Sequence, residues 1–266
     1  MVKIRTALLS VADKTGLPEF AAHLADMGVR LLATRGTYRL LESRDVPAEE
    51  LSDYTGFPEM LGGLVKTFHP KVHAGLLAHR DRESHTRELA DHGIEHIDMV
   101  VVNLHPFGDT IEQPGAESAF ENIDTGGATL IRSAGKNYTH VAVVTNPCMY
   151  DAVAREMEDH RASLSSETLC ELAREGFSHT ARYDAAVAQH LSGIEGRRSL
   201  APERLILEFV RRQELRYGEN PQQASTFYVE ENLTELCVAN SRQVAGPVLS
   251  FNNILDINTG IELAKE

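Results

Sequence analysis

The feature that most narrows the fold of this chain is the run Ile97-Asp98-Met99-Val100-Val101-Val102-Asn103-Leu104, whose apolar stretch is continuous rather than alternating. A strand of that texture is buried on both faces, as in a parallel sheet covered by helices on each side. Runs of the same kind at 4–11, 29–33 and 141–145 each pass through a polar loop into a helical pattern. Residues 17–27 place Leu17, Phe20, Leu24 and Met27 on one face before Gly28 stops them. Further helices are expected to about Glu42, over 82–92, from the 123–129 segment through Lys136, over 147–159 and over 165–191. Strand, polar loop and helix in repetition predict an α/β fold with a parallel sheet, and such sheets bind ligands at the carboxyl ends of their strands.

Between these elements lies the segment 55–75, TGFPEMLGGLVKTFHPKVHAG. Glycines at 56, 62, 63 and 75 and prolines at 58 and 70 break every regular period, which predicts a long shaped loop rather than a helix or strand. Loops of that length inside compact domains usually serve a function. Lys66, Thr67, His69 and His73 gather there, where the backbone is free to approach a ligand, and read as the wall of an anionic-ligand site. A solvated surface loop is the plainer alternative on composition alone. His69 and His73 stand four apart, but Pro70 and the lack of a third ligand argue against a metal, and no metal or cofactor is expected.

With 266 residues the chain is long enough for a substantial core. A net charge of -13, with no basic run to offset it, repels a polyanion, so nucleic-acid binding is excluded and small anions need locally concentrated cations. Three widely spaced cysteines, Cys148, Cys170 and Cys237, form neither a disulfide framework nor a zinc ribbon and fit a reducing cytoplasm. The apolar start is interrupted too soon by Asp13 and Lys14 for a signal sequence, and no apolar run is long enough to span a membrane. The stretch SGIEGRRSLAP, 192–202, has turn residues and charge without periodicity. It divides a first domain, 1–195, from a linker, 196–202, and an incomplete second α/β domain, 203–266, ending in a helix from about Asp256.

Dinucleotide, P-loop and nucleophile-elbow signatures are absent. Ser133-Ala134-Gly135-Lys136 and Lys14-Thr15-Gly16 match S-x-x-K and K-T-G, but in reversed order and without S-D-N. Ile123-Asp124-Thr125-Gly126-Gly127 is more informative: an aspartate and two glycines at a helix start expose backbone N–H groups that favour an anion or a developing oxyanion.

Taken together, SVADKTG (10–16), TGFPEMLGG (55–63), VKTFHPKVHAG (65–75), NLHPF (103–107), ENIDTGGATLIRSAGKN (121–137) and GFSHTARYD (176–184) resemble the N-terminal IMP cyclohydrolase domain of the bifunctional purine-biosynthesis enzymes. RYGENPQQA (216–224) and LSFNNILD (249–256) resemble the start of the AICAR transformylase domain that follows it, whose K-H-x-N-P-C-G-like catalytic segment is missing, so transformylase activity is expected to be absent. The resemblance implies a methylglyoxal-synthase-like fold, a homodimer, and dehydrative closure of formyl-AICAR to IMP without metal or cofactor. It assigns catalysis to Lys66, Asp124, Lys136 and His105, the last standing where the family has tyrosine. It assigns nucleotide contacts to Asp13, Lys14, Thr34, Gly36, Thr37, Thr67, Asn103, Thr125, Gly126 and Gly127.

This assignment requires Lys66, Asp124 and Lys136 to converge at one rim of the sheet, with the two ammonium groups lowering each other's pKa. Ala12, Arg35, Leu64 and His105 depart from the family pattern around the ligand. Leu64 removes a cation, and Arg35 is expected to replace it as a phosphate partner. The same departures leave two alternatives: a diverged paralogue acting on an analogous ribonucleotide in a specialised nucleoside pathway, or a non-catalytic nucleotide-binding module.

Overall fold

The computed structural model describes residues 1–104, 123–194, 206–230 and 233–265, and divides the chain into the units Met1–Arg198 and Ser199–Glu266. In the first unit the expected strands form β2 (Thr6–Val11), β3 (Arg30–Ala33), β5 (Met99–Asn103) and β6 (Ala142–Val144), with a short β4 (Glu49–Glu50) at one edge. They make a five-stranded sheet in the order β4-β3-β2-β5-β6, and every pairing is parallel. A separate antiparallel pair joins β1 (Val2–Lys3) to β7 (Ser163–Leu164).

Because side chains alternate across a strand, neighbouring residues of one apolar run enter opposite layers. Ala7, Leu9, Met99, Val101, Ala142 and Val144 pack with α1 (Leu17–Asp26) and α7 (Tyr150–Asp159), whose Leu17, Phe20, Leu24, Val153 and Met157 lie in the same core. Leu8, Val100, Val102 and Val143 face the other way, onto α4 (Pro70–Leu77) and α6 (Thr125–Lys136), through Val72, Leu76, Leu130, Ile131 and Ala134. The long α8 (Ser166–Ile194) closes the sandwich near β6, while α2 (Arg35–Glu42), α3 (Leu51–Thr55) and α5 (Glu83–Asp91) complete the elements. Double-sided burial explains why Met99 through Val102 are all fully buried. The α/β fold with a parallel sheet flanked by helices is the one expected. No helix among the described residues is long and apolar enough to cross a membrane.

One expectation needs correcting. The segment 55–75 is not all loop: α4 begins inside it at Pro70. Proline is favoured at the first helical position, where its missing N–H has no partner to lose, and His69 caps the helix by accepting the Lys71 N–H at 3.2 Å. Gly75 lies within α4 because a Cβ there would stand 2.7 Å from the Glu95 carbonyl, so the glycine is a packing requirement and not a breaker.

The second unit contains an antiparallel hairpin, β8 (Val210–Leu215) with β9 (Ser225–Val229), and α9 (Phe251–Lys265). That helix starts before Asp256 because the Ser250 hydroxyl accepts the Asn253 N–H at 3.3 Å, as an N-cap does.

Candidate functional site

Strand order reverses across β2, with β3 on one side and β5 on the other. Open α/β sheets form a crevice at such a point, beyond the carboxyl ends of the strands. Here the crevice is held by one side chain. Asn103, the last residue of β5 and buried, accepts the Ala12 and Asp13 N–H groups on Oδ1 at 2.7 and 2.9 Å and donates from Nδ2 to the Asp13 carbonyl at 2.9 Å. Three of the carboxamide's four bonding positions thus fix the loop after β2, leaving one Nδ2 hydrogen for a ligand. Asn103 thus clamps the loop and keeps one donor for the nucleotide contact that the resemblance implies. The Asp13 carboxylate is also engaged: it accepts the Thr15 hydroxyl at 2.6 Å and the Thr15 N–H at 2.9 Å, bonds that hold it below the usual carboxylate range. Lys14, beside it, is exposed at the same rim.

The loop after β3 delivers the N-terminus of α2 to this edge. Thr34 is buried and donates to Ser10 Oγ at 3.3 Å, while the Thr37 hydroxyl accepts the Val11 N–H at 3.4 Å, so both residues bind β3 and α2 to β2. Gly36 is exposed, with open space where a Cβ would lie, and its backbone can meet a phosphate closely. Arg35 does not stand free as the expected phosphate partner. Its Nε lies 3.1 Å from Glu50 Oε1 and 3.7 Å from Glu59 Oε2, and its N–H donates to Glu59 Oε1 at 3.3 Å. The Glu59 carboxylate, from the segment after α3, thereby occupies the position that the helix N-terminus offers to an anion.

Across the crevice, the Lys66-Thr67 segment meets the start of α6. Thr67 is buried, its Oγ1 has no hydrogen-bond partner among the described residues, and a Cβ on Gly126 would stand 2.8 Å from it. Asp124 is the N-cap of α6, its Oδ1 accepting the Gly127 N–H at 2.7 Å. A Cβ on Gly127 would stand 2.6 Å from Leu104 and 2.8 Å from Asp124 Oδ2, so this helix start needs both glycines for close packing. Thr125 is exposed, and its amide with that of Gly126 heads the helix without an intrahelical acceptor. Lys66 is exposed one residue from Thr67. The outcome is an unpartnered hydroxyl, helix-start amides, a carboxylate and a nearby lysine at one place.

Lys136 is not part of that grouping within one chain. It occupies the last turn of α6, and the helix from Gly126 to Lys136 spans about 15 Å. The next residue, Asn137, donates to the Leu76 and Ala78 carbonyls at 2.7 and 3.2 Å, at the C-terminal end of α4. Lys66, beside the start of α6, and Lys136, in its last turn, therefore lie at opposite ends of that helix inside a single chain. His105 lies outside the described residues. His73 hydrogen-bonds Ser133 Oγ through Nδ1 at 3.0 Å and His69 caps α4, so neither imidazole is arranged as a metal pair.

Two supporting residues were quoted in a motif without being given a role. Tyr183, buried on α8, accepts the Asp124 N–H on its hydroxyl at 2.7 Å. His179, one turn earlier, accepts the Leu104 N–H on Nε2 at 3.3 Å, and burial holds its pKa below the usual imidazole value. Other residues of GFSHTARYD also meet α6 and the sheet: Gly176 lies against Ile131 and Val143, Phe177 against Gly135, and Asp184 pairs with Arg132 at 2.6 Å. The four-residue spacing of His179, Tyr183 and Val187 was the available signal, since it marks one helix face.

Comparison with known proteins matches residues 134–266 to the family described as the AICARFT/IMPCHase bienzyme and residues 16–129 to the MGS-like domain. A solved structure, titled as the crystal structure of ForH, is 37% identical. The match covers 71% of this chain and 99% of that one, with a TM-score of 0.64.

Proposed function

The chain belongs to the AICARFT/IMPCHase bienzyme family, and from that premise we propose that it closes formyl-AICAR to IMP with loss of water. The observation that carries this reading is the meeting of the Lys66-Thr67 segment with the capped start of α6. The substrate phosphate belongs at the α2 N-terminus, where Gly36 faces open space, and its formamide carbonyl at the Thr125 and Gly126 amides. The carboxamide nitrogen attacks the formyl carbon and gives up a proton toward Asp124 Oδ2 as the carbonyl oxygen gains one from Lys66. The resulting hydroxyl takes the proton now held by Asp124 and leaves as water, while the formamide nitrogen gives its proton back to Lys66 and the C=N bond forms. Both reacting groups are on one molecule, so holding them in attack geometry supplies much of the acceleration.

Lys136 enters this scheme only from a second copy. In a two-fold dimer with α6 packed antiparallel to its mate, the C-terminal turn of one helix lies beside the N-terminal turn of the other. The exposed Lys136 and Arg132 of α6 are consistent with that arrangement. A second reading, a paralogue acting on an analogous ribonucleotide, is favoured by the exposed Leu64 and by the engagement of Arg35 with Glu50 and Glu59. Purified protein mixed with formyl-AICAR tests the first reading: IMP absorbance supports it, and calorimetric binding of IMP without turnover of formyl-AICAR rejects it.

A further inference from the structure

The opposite edge of the sheet, at the amino ends of β5 and β6, holds a cluster that the proposed reaction does not use. His79, Asp81 and His140 each offer a donor atom within 4.8 Å of the others. Asp81 Oδ1 lies 3.3 Å from His140 Nε2, and the His79 and His140 rings meet edge to face with centroids 5.5 Å apart. We infer that these three side chains form a binding site for a divalent transition-metal ion of the zinc class.

The separations suit such an ion. Nitrogen and oxygen ligands bind zinc at about 2.0–2.2 Å, which in a tetrahedron sets neighbouring donors about 3.3 Å apart. The Asp81–His140 pair already has that spacing, and a side-chain rotation brings in the third donor. Two imidazoles with one carboxylate select zinc-like ions over magnesium or calcium, which prefer all-oxygen shells. The Asp81 side chain is 75% exposed, so the remaining coordination positions open to water.

The segments that carry the ligands are tied together independently of any ion. Arg80, between His79 and Asp81, donates to the His140 carbonyl at 2.8 Å and pairs with the buried Asp98. Asp98 in turn accepts the Arg5 and Thr6 N–H groups at 2.8 and 2.9 Å. That ion pair sets a carboxylate against the Arg80 guanidinium, which offsets its repulsion of a cation. Asn137 fixes the end of α4 to the turn before β6, and the His79 N–H donates to His85 Nδ1 at 3.1 Å. An ion here would staple the α4–α5 connection to the α6–β6 turn, away from the nucleotide rim. The His79 ring is held beside this pair by edge-to-face contacts with both His140 and His85, the latter with centroids 5.8 Å apart.

The test is calorimetric titration of chelator-treated full-length protein with ZnCl2, and with CoCl2 while visible d–d absorption is followed. One saturable equivalent per chain is expected, with no response to MgCl2. Asp81→Asn and His140→Gln should each weaken Zn2+ binding at least tenfold and remove the Co2+ bands, with unchanged far-UV circular dichroism; because Asp81 is exposed, its replacement leaves the fold intact. Absence of a saturable Zn2+ equivalent at 10 micromolar order, about 10⁻⁵ M on the affinity scale, overturns the inference. So does binding that either substitution leaves unchanged, which would place the ion on others of the chain's 12 histidines.

Discussion

The hydroxyl of Thr67 occupies the space that a side chain on Gly126 would need, with a Cβ at residue 126 only 2.8 Å from Oγ1. Intrinsic propensity favours alanine over glycine in a helix by about 1 kcal/mol. Gly126→Ala should nevertheless displace the Lys66-Thr67 segment. IMP affinity measured by calorimetry is expected to fall about tenfold, or roughly 1.4 kcal/mol. Unchanged affinity would mean that the segment is not placed by this contact.

Glu59 sits where a bound phosphate would bring its own charge. Its carboxylate takes the Arg35 N–H at 3.3 Å and lies 3.7 Å from the guanidinium. A charge at a helix N-terminus is worth about 0.3–1 kcal/mol. Glu59→Gln is expected to raise IMP affinity about two- to five-fold on that scale. Weaker binding in Glu59→Gln would show that Glu59 shapes the site rather than competing for it.

Stability should depend on pH through buried imidazoles. Burial, the leading cause for both, holds His73 and His179 below the ordinary value of 6.5. Between the lowered folded values and 6.5 the unfolded chain binds more protons than the native chain, so stability rises with pH. This contribution is fully present above about pH 6.5 and is lost as pH falls through the folded values. The urea midpoint is expected to drop from pH 7.5 to 5.5, and to drop less in His179→Gln, whose amide cannot take up that proton. An equal drop in both proteins would remove His179 from the account.

The separation of Lys136 from Asp124 predicts complementation between copies. Lys66→Ala and Lys136→Ala, each deficient alone, should recover IMP formation when mixed under conditions of subunit exchange. Random exchange in a two-fold dimer leaves about a quarter of the sites with both lysines. No recovery from a mixture shown to exchange would contradict a shared site.

Much of this arrangement is legible in the amino-acid sequence. The continuous apolar runs fixed the strands, since double-sided burial leaves no polar alternation, and the aspartate with two glycines marked the start of α6. Pro70 and Gly75 misled because both break a periodic pattern, whereas Pro70 needs only a first-turn position and Gly75 answers to a carbonyl from residue 95. The engagement of Arg35 depends on Glu50 and Glu59, which reach it through the folded backbone and leave no local pattern. The Lys136 separation was available by counting: at 1.5 Å per residue, a helix running from Asp124 to Lys136 holds its ends about 18 Å apart. The His79–Asp81–His140 cluster joins segments some sixty residues apart, a juxtaposition that only the parallel sheet creates.

The most direct test of the proposed site is the steady-state rate of IMP formation from formyl-AICAR by the native protein and by Lys66→Ala. Loss of a positioned proton donor typically costs about 10²–10⁴ in rate. The native protein is expected to turn over, with Lys66→Ala lowering kcat at least about 100-fold while KM changes far less. Equal kcat in the two proteins, or no IMP from native protein that binds the nucleotide, would contradict the site at the head of α6.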